Sequence, residues 1–247
     1  MNKRIRVIAG PNGSGKTTLY HELEKLVNLY DFINADEILK LLLTCNGHFM
    51  LPFALESGEL AATINSTSFD NSIKQLYNNG AIQCVGREVQ FTSDSVNSYT
   101  VAAFADFLRN AYLRRGINFT METVFSHPSK LQFLEYAKEL GYRVYLYFIA
   151  TDSPELNIAR VKQRVKIGGH DVPPEKIISR YSRCLDNLYE ALTIVYRAYI
   201  WDNSTHPMRF FAELKPERSL EIVGEIPNWF NKYVLDKDDF DEEEGVP

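Results

Sequence analysis

Apolar and polar positions alternate along this chain in a way that separates strands from helices. Arg4–Ala9 (RIRVIA) is a short apolar run and reads as a buried strand. A glycine-rich turn follows, then a helix over about Lys16–Val27. Phe32–Asn34 predicts a short strand with a polar end, and Asp36–Leu43 the next helix. Val101, Phe104, Phe107, Leu108 and Tyr112 recur at helical spacing, which predicts a helix over Val101–Arg114. Asn118–Val124 reads as a strand carrying Glu122 towards its end, and Pro128–Leu140 as a helix stopped by Gly141. Tyr142–Ala150 (YRVYLYFIA) is apolar and aromatic, as a central parallel strand should be. Beyond it come a basic helix at Ser153–Ile167, a loop at Gly168–Pro174 and a long helix at Glu175–Ala198. A last core strand at Tyr199–Asn203 precedes a short hairpin made by Met208–Leu214 and Leu220–Val223.

Strands alternating with helices predict an α/β fold, a three-layer sandwich with a mostly parallel sheet and helices on both faces. In such sheets ligands bind at the carboxyl ends of the strands. The glycine turn, Asp36, Glu122 and Asp202 all fall at such ends. Residues 44–98 interrupt the alternation after the second strand and read as an insertion near the acceptor site. Within it Ala81–Phe91 suggests a hairpin turning near Gly86–Arg87. The expected organisation is one domain over 1–235 and an acidic disordered tail over 236–247.

Composition narrows the partners. The 247 residues are 45% hydrophobic and 24% charged, with net charge −5. Seven acidic residues and one lysine at 236–247 contribute −6, which leaves +1 over 1–235. A nearly neutral body argues against nucleic acid as a partner. Three scattered cysteines, Cys45, Cys84 and Cys184, suggest neither a disulfide framework nor a thiolate metal site. No apolar run reaches the roughly 18 residues of a membrane helix, and the expected location is the cytoplasm.

The chemistry begins at Gly10-Pro11-Asn12-Gly13-Ser14-Gly15-Lys16-Thr17, which fits G-x-x-x-x-G-K-[ST] between a strand and a helix. Glycines let backbone amides approach phosphate oxygens, and the helix N-terminus favours the anion. Lys16 would charge-pair with the β- and γ-phosphates of ATP, and the Thr17 hydroxyl would ligate Mg²⁺. Thr18 completes the phosphate site. Asp36 has two readings: a general base for an acceptor hydroxyl, or an ordinary helix N-cap. Glu37 points elsewhere and ranks lower. Glu122 would bind acceptor hydroxyls or the water shell of the metal, or would merely pair with a lysine. The basic helix carries Arg160, Lys162, Arg164 and Lys166, and Arg180 and Arg183 follow the loop. They read as a mobile lid hinged at Gly168–Gly169 that brings at least one arginine onto phosphate, or as a solvated basic face. His170 is either a ligand or a loop cap.

Several segments together resemble the zeta toxins and their chromosomal relatives, which are P-loop kinases: AGPNGSGKTT at 9–18, INADEI at 33–38, ETVFS at 122–126, GGHDVP at 168–173 with Ile178–Tyr181, and YIWDNS at 199–204. The resemblance implies that Lys16 binds phosphates, that Thr17 binds Mg²⁺ and that Asp36 is the general base. It further implies that Glu122 contacts the acceptor and that the lid arginines Arg164 and Arg180 stabilise the transferring group; Arg160, on the same helix face as Arg164, reads as a substrate contact beside them. Zeta toxins phosphorylate an amino-sugar hydroxyl of UDP-N-acetylglucosamine, so a nucleotide sugar is the implied acceptor and an antitoxin an implied partner. Val124 stands where these toxins often carry a threonine beside the acceptor, and the insertion would remodel that pocket. Two other functions compete: a polynucleotide or nucleoside end kinase, and a non-catalytic ATP-binding partner protein.

Overall fold

The computed structural model describes residues 3–54, 58–59, 71–169 and 171–237, without the side chains of 71–73. The acidic tail from 238 onward and His170 lie outside the described residues. The chain forms two compact units. The first comprises Met1–Asp31 with Asn118–Pro247, and the second Phe32–Ile117.

In chain order the strands are β1 Arg4–Ala9, β2 Asp31–Ile33, β3 His48–Met50, β4 Ile82–Val85, β5 Glu88–Phe91, β6 Phe119–Thr123, β7 Arg143–Ala150, β8 Arg197–Asp202, β9 Arg209–Leu214 and β10 Leu220–Ile222. The helices are α1 Lys16–Leu23, α2 Ala35–Thr44, α3 Asn71–Asn78, α4 Ser98–Arg115, α5 Ser129–Glu139, α6 Pro154–Lys166, α7 Pro174–Ile194 and α8 Asn228–Tyr233. The boundary between the units falls within β2.

The first unit is built on strands in the order β10-β9-β8-β7-β1-β6. β1 pairs in parallel with β6 and β7, and β7 with β8. The hairpin β9–β10 adds antiparallel strands at the edge. The sheet is therefore mostly parallel, with helices on both sides. Ala9 lies level with Thr123 and Phe148, so the loop after β1 leaves the sheet beside Glu122. Five consecutive residues close β7 fully buried, because helices cover both faces of a central strand. On α7 the buried residues Ile177, Tyr181, Cys184, Leu185, Leu188, Ala191 and Leu192 form one stripe. Each large side chain of that stripe contributes roughly 1.5–3 kcal/mol by leaving water. α7 packs against α5, α6 and α8.

Two expected helix ends were too long. α1 stops at Leu23 instead of Val27. Leu26 is left 77% exposed, and Val27 turns to pack on the cluster of Leu19, Leu23 and Leu29. α7 stops at Ile194 instead of Ala198. Val195 is already extended, and the Tyr196 amide donates to the Val144 carbonyl, so sheet pairing takes over from helical periodicity.

In the second unit α2 packs on α4, and β3, β5 and β4 form a three-stranded antiparallel sheet. β4 and β5 make the expected hairpin around Gly86–Arg87. Arg115 pairs with Glu59 and stacks on Phe53 at 4.2 Å. α4 is capped by Asn97 and closed by Gly116 in the left-handed region.

Candidate active site

The loop after β1 needs its glycines. Gly10, Gly13 and Gly15 have φ of 153°, 76° and 103°. A Cβ on Gly10 would sit 2.0 Å from the Ile149 carbonyl oxygen, and one on Gly13 would sit 2.6 Å from that of Asn157. Lys16 opens α1 and folds back: its Nζ donates to the carbonyls of Gly10 (3.0 Å) and Pro11 (2.9 Å). The same ammonium lies 4.0 Å from Glu122 Oε1. The expected lysine–phosphate-loop arrangement and the neighbouring strand-end carboxylate thus meet.

A cleft of about 810 Å³ opens over this loop within the first unit. Gly13, Gly15, Lys16, Thr17, Thr18 and Glu122 line it, and Arg160 and Arg164 enter from α6. Opposite lie residues that the sequence reading did not single out: Glu22, Trp201, Asn203, His206, Pro207, Met208 and Phe210. Trp201 stacks on Tyr147 (6.2 Å) and meets Phe210 at a tilt of 57° (5.3 Å). The cleft therefore has a cationic floor and an aromatic wall. Burial pulls the Arg160 guanidinium below its ordinary pKa, while the charge of Asp202 pushes it back up. Arg160 Nη1 is buried without a hydrogen-bond partner among the described residues. An orphaned cationic donor beside an amide-lined turn fits an anionic ligand.

The helix that carries Arg160 and Arg164 packs on the phosphate loop. Asn157 and Val161 of α6 are 0% and 1% exposed, and both press against Gly13. Val161 also packs with Val172 and Ile177, which joins α6 and α7 into one small core. The glycine pair closes the helix: the Gly168 and Gly169 amides donate to the carbonyls of Val165 and Arg164. Lys162 and Lys166 face solvent. Arg180 lies half-buried on α7 and does not line the cleft. Arg183 donates to Ser179 of its own helix.

Asp36 is in the second unit, exposed on the first turn of α2. The N-cap of α2 is Asn34, whose Oδ1 accepts from the amides of Asp36 (2.8 Å) and Glu37 (3.2 Å). The alternative reading of Asp36 as the cap is therefore overturned. Asp202 is also used otherwise than expected. It is buried, and its carboxylate accepts from Trp229 Nε1 (3.1 Å) and the Ser204 hydroxyl (2.6 Å). Among the described residues, no group of three or more His, Cys, Asp or Glu is placed to hold a metal ion. No helix there is long and apolar enough to cross a membrane.

The zeta toxin family model matches residues 85–205. The chain is zeta-toxin-like. The match covers 121 of 247 residues, just under half, and runs from β4 through Glu122, α6 and α7 to the turn after β8. The phosphate loop lies outside it. An uncharacterized protein of Haemophilus influenzae is 39% identical to this zeta-toxin-like chain over 69 residues, 28% of this chain and 49% of that protein. The AvrRxo1-ORF1:-ORF2 complex with ATP superposes with a TM-score of 0.52 at 13% identity, over 90% of this chain and 60% of that one. The native form of that complex gives 0.52 at 14% identity. The zeta-toxin-like chain thus spans about half the length of the H. influenzae relative and less than two thirds of the solved one. At that identity the structural likeness establishes the shared fold.

Proposed function

We propose that this chain is a kinase that holds ATP and Mg²⁺ on the loop 10–17 and passes the γ-phosphoryl group to a hydroxyl of a small molecule. The observation that carries this reading is the convergence of the glycine loop, Lys16, Arg160 and Arg164 on one cleft. Phosphoryl transfer asks little covalent chemistry of a protein. It asks for positioning and for positive charge around the transferring group. Lys16 and the loop amides would hold the β- and γ-phosphates, and Arg160 and Arg164 the equatorial oxygens. Trp201, Met208 and Phe210 offer an apolar wall for the purine base.

The Thr17 hydroxyl would hold Mg²⁺ together with phosphate oxygens and water, a usual ligand set for this ion. Bound there, the metal supplies charge that neutralises the phosphate oxygens. Asp36 is assigned as the general base. As the acceptor oxygen bonds to γ-phosphorus and the bond to the ADP oxygen breaks, its proton passes to that carboxylate. An exposed carboxylate that does not cap its own helix suits the role. Glu122 is assigned to the acceptor, or to the metal's water shell. The AvrRxo1 complex with ATP supports the nucleotide. The family resemblance nominates UDP-N-acetylglucosamine as acceptor, an antitoxin as protein partner and the cytoplasm as the place of action.

The test is ADP release from wild type against UDP-sugars, nucleosides and free sugars, with phosphorus NMR on any product. On the acceptor found, Asp36→Asn should lower kcat by about 10²–10⁴-fold with unchanged ATP affinity. Lys16→Ala should weaken ATP binding and turnover together. A wild type with no affinity for any purine triphosphate in the presence of Mg²⁺ would end the kinase reading. An Asp36→Asn variant of full activity would remove Asp36 from it.

A further inference from the structure

The turn after β8, Asp202-Asn203-Ser204, is one of the segments shared with zeta toxins, and the kinase reading leaves it without a task. Each of its residues makes a specific contact. Asp202 accepts from Trp229 Nε1 and, on the same oxygen, from the Ser204 amide (3.3 Å) and hydroxyl. The Ser204 hydroxyl in turn accepts from the Asp152 amide (2.9 Å). These bonds pin the turn on both sides of Asn203. The Asn203 amide donates to the Ala150 carbonyl (2.8 Å) and extends the β7–β8 ladder by one step. Its side chain crosses to the phosphate loop, where Nδ2 donates to the Ser14 carbonyl at 2.8 Å.

That contact fixes one peptide plane. In a trans peptide the C=O and the following N–H point in opposite directions. Holding the Ser14 carbonyl towards Asn203 therefore sends the Gly15 N–H the other way. Gly15 leaves the room for this. A Cβ there would sit 2.4 Å from Asn203 Nδ2, so a larger residue would expel the amide. Lys16 ties the first half of the loop through Gly10 and Pro11, and Asn203 ties the second half.

We propose that Asn203 is a positioning residue that aims the Gly15 amide into the phosphate turn, so that triphosphate affinity depends on a donor supplied by the last parallel strand. This deepens the kinase reading and rests on it. Loss of the aim should weaken every ligand that enters through its phosphates, with or without a base.

The experiment is calorimetric titration of the full chain with Mg·ATP and with inorganic tripolyphosphate, for wild type, Asn203→Ala and Asn203→Asp. Both variants should bind both ligands about tenfold or more weakly, the size of one lost, well-placed hydrogen bond. Asn203→Asp should be the worse, because a carboxylate faces the Ser14 carbonyl with no proton to donate. In spectra of the ligand-free ¹⁵N-labelled protein, the Gly15 amide should shift in Asn203→Ala while that of Val7 in β1 stays put. Melting of the ligand-free variants reports any general loss of fold, which would not by itself move the affinity of the folded fraction. Unchanged affinities in both variants overturn the proposal, as does weakened binding with an unmoved Gly15 resonance, which would mark Asn203 as a direct ligand contact. A wild type that binds neither ligand would instead overturn the phosphate-loop reading and take this proposal with it.

Discussion

Gly10 is held by two constraints at once. Its φ of 153° is one that L side chains rarely adopt, and the space a Cβ would fill is taken by the Ile149 backbone. The Ser14 hydroxyl stands 2.8 Å from the same point. Gly10→Ala must move strand β7 or the loop, and neither is a flexible side chain end. It should cost roughly 1–3 kcal/mol, the range for backbone strain of this kind, and abolish nucleotide binding. Gly80 provides the control, because a Cβ there meets only the Gln83 side chain, at 3.6 Å, and only its positive φ is strained. Urea unfolding of both alanine variants checks the difference: Gly10→Ala should lose clearly more stability than Gly80→Ala. Equal losses would show that the loop relaxes around the methyl group and that crowding against Ile149 does not hold it.

At the scale of elements, β8 explains why a legible strand still hid half of the cleft. Its side chains alternate: Ala198, Ile200 and Asp202 are buried, and Tyr199, Trp201 and, just past its end, Asn203 are half-buried. The expected strand, Tyr199–Asn203, overlaps β8 but starts two residues late and ends one late, and its acidic residue was expected to face the ligand. Period-two geometry sends Trp201 and Asn203 to the cleft and Asp202 to the opposite side. Which of the two sets faces the site depends on register against β7, and a single sequence does not carry register. A two-residue ambiguity affected α2, where Asn34 and Asp36 are both good caps and only the fold selects Asn34. The phosphate loop was legible because its spacing is rigid chemistry. The α7 end was not, because Val195 and Tyr196 continue the apolar run of Ala191, Leu192 and Ile194 that closes the helix. In the insertion β3 has three residues and β4 and β5 four each, too short for alternation to speak clearly. β9 runs antiparallel beside β8 and sets Phe210 opposite Trp201. If this wall stacks a purine, Trp201→Ala should weaken Mg·ATP binding by about 1–3 kcal/mol, as removal of an aromatic stacking partner does. Tripolyphosphate, which has no base, should bind that variant as it binds wild type. Equal weakening of both ligands would show that Trp201 acts on the phosphate loop and not on a base.

Over the whole molecule, the tyrosines of the first unit set an alkaline limit on stability. Burial raises the pKa of Tyr142 and of Tyr147 to about 12, and raises Tyr181 and Tyr199 as well. At Tyr147 the charges of Arg6 and Arg197 oppose the effect of burial without reversing it. In the unfolded chain each phenol releases its proton near pH 10. Between there and about pH 12 the unfolded state binds fewer protons than the native state, so stability must fall as pH rises. The contribution is complete below pH 10 and is lost through pH 12. Thermal melts taken at intervals from pH 8 to 12 should therefore show a midpoint that falls from about pH 10 onward. Tyrosinate absorbance should rise late and together with unfolding. Tyr147→Phe tests the assignment most cleanly, because it removes the ionisation and keeps the ring stacked on Tyr199 and Trp201. Its melting curve should fall less steeply over the same range. Tyr181→Phe makes a poorer probe, since its hydroxyl donates to the Thr151 carbonyl and its loss leaves that acceptor unpaired by it. A midpoint that does not move between pH 10 and 12 would mean that these phenols ionise within the folded sheet. Arg6 and Arg197, whose charges favour the ionised forms of Tyr147 and Tyr199, would then be the groups that let those two do so.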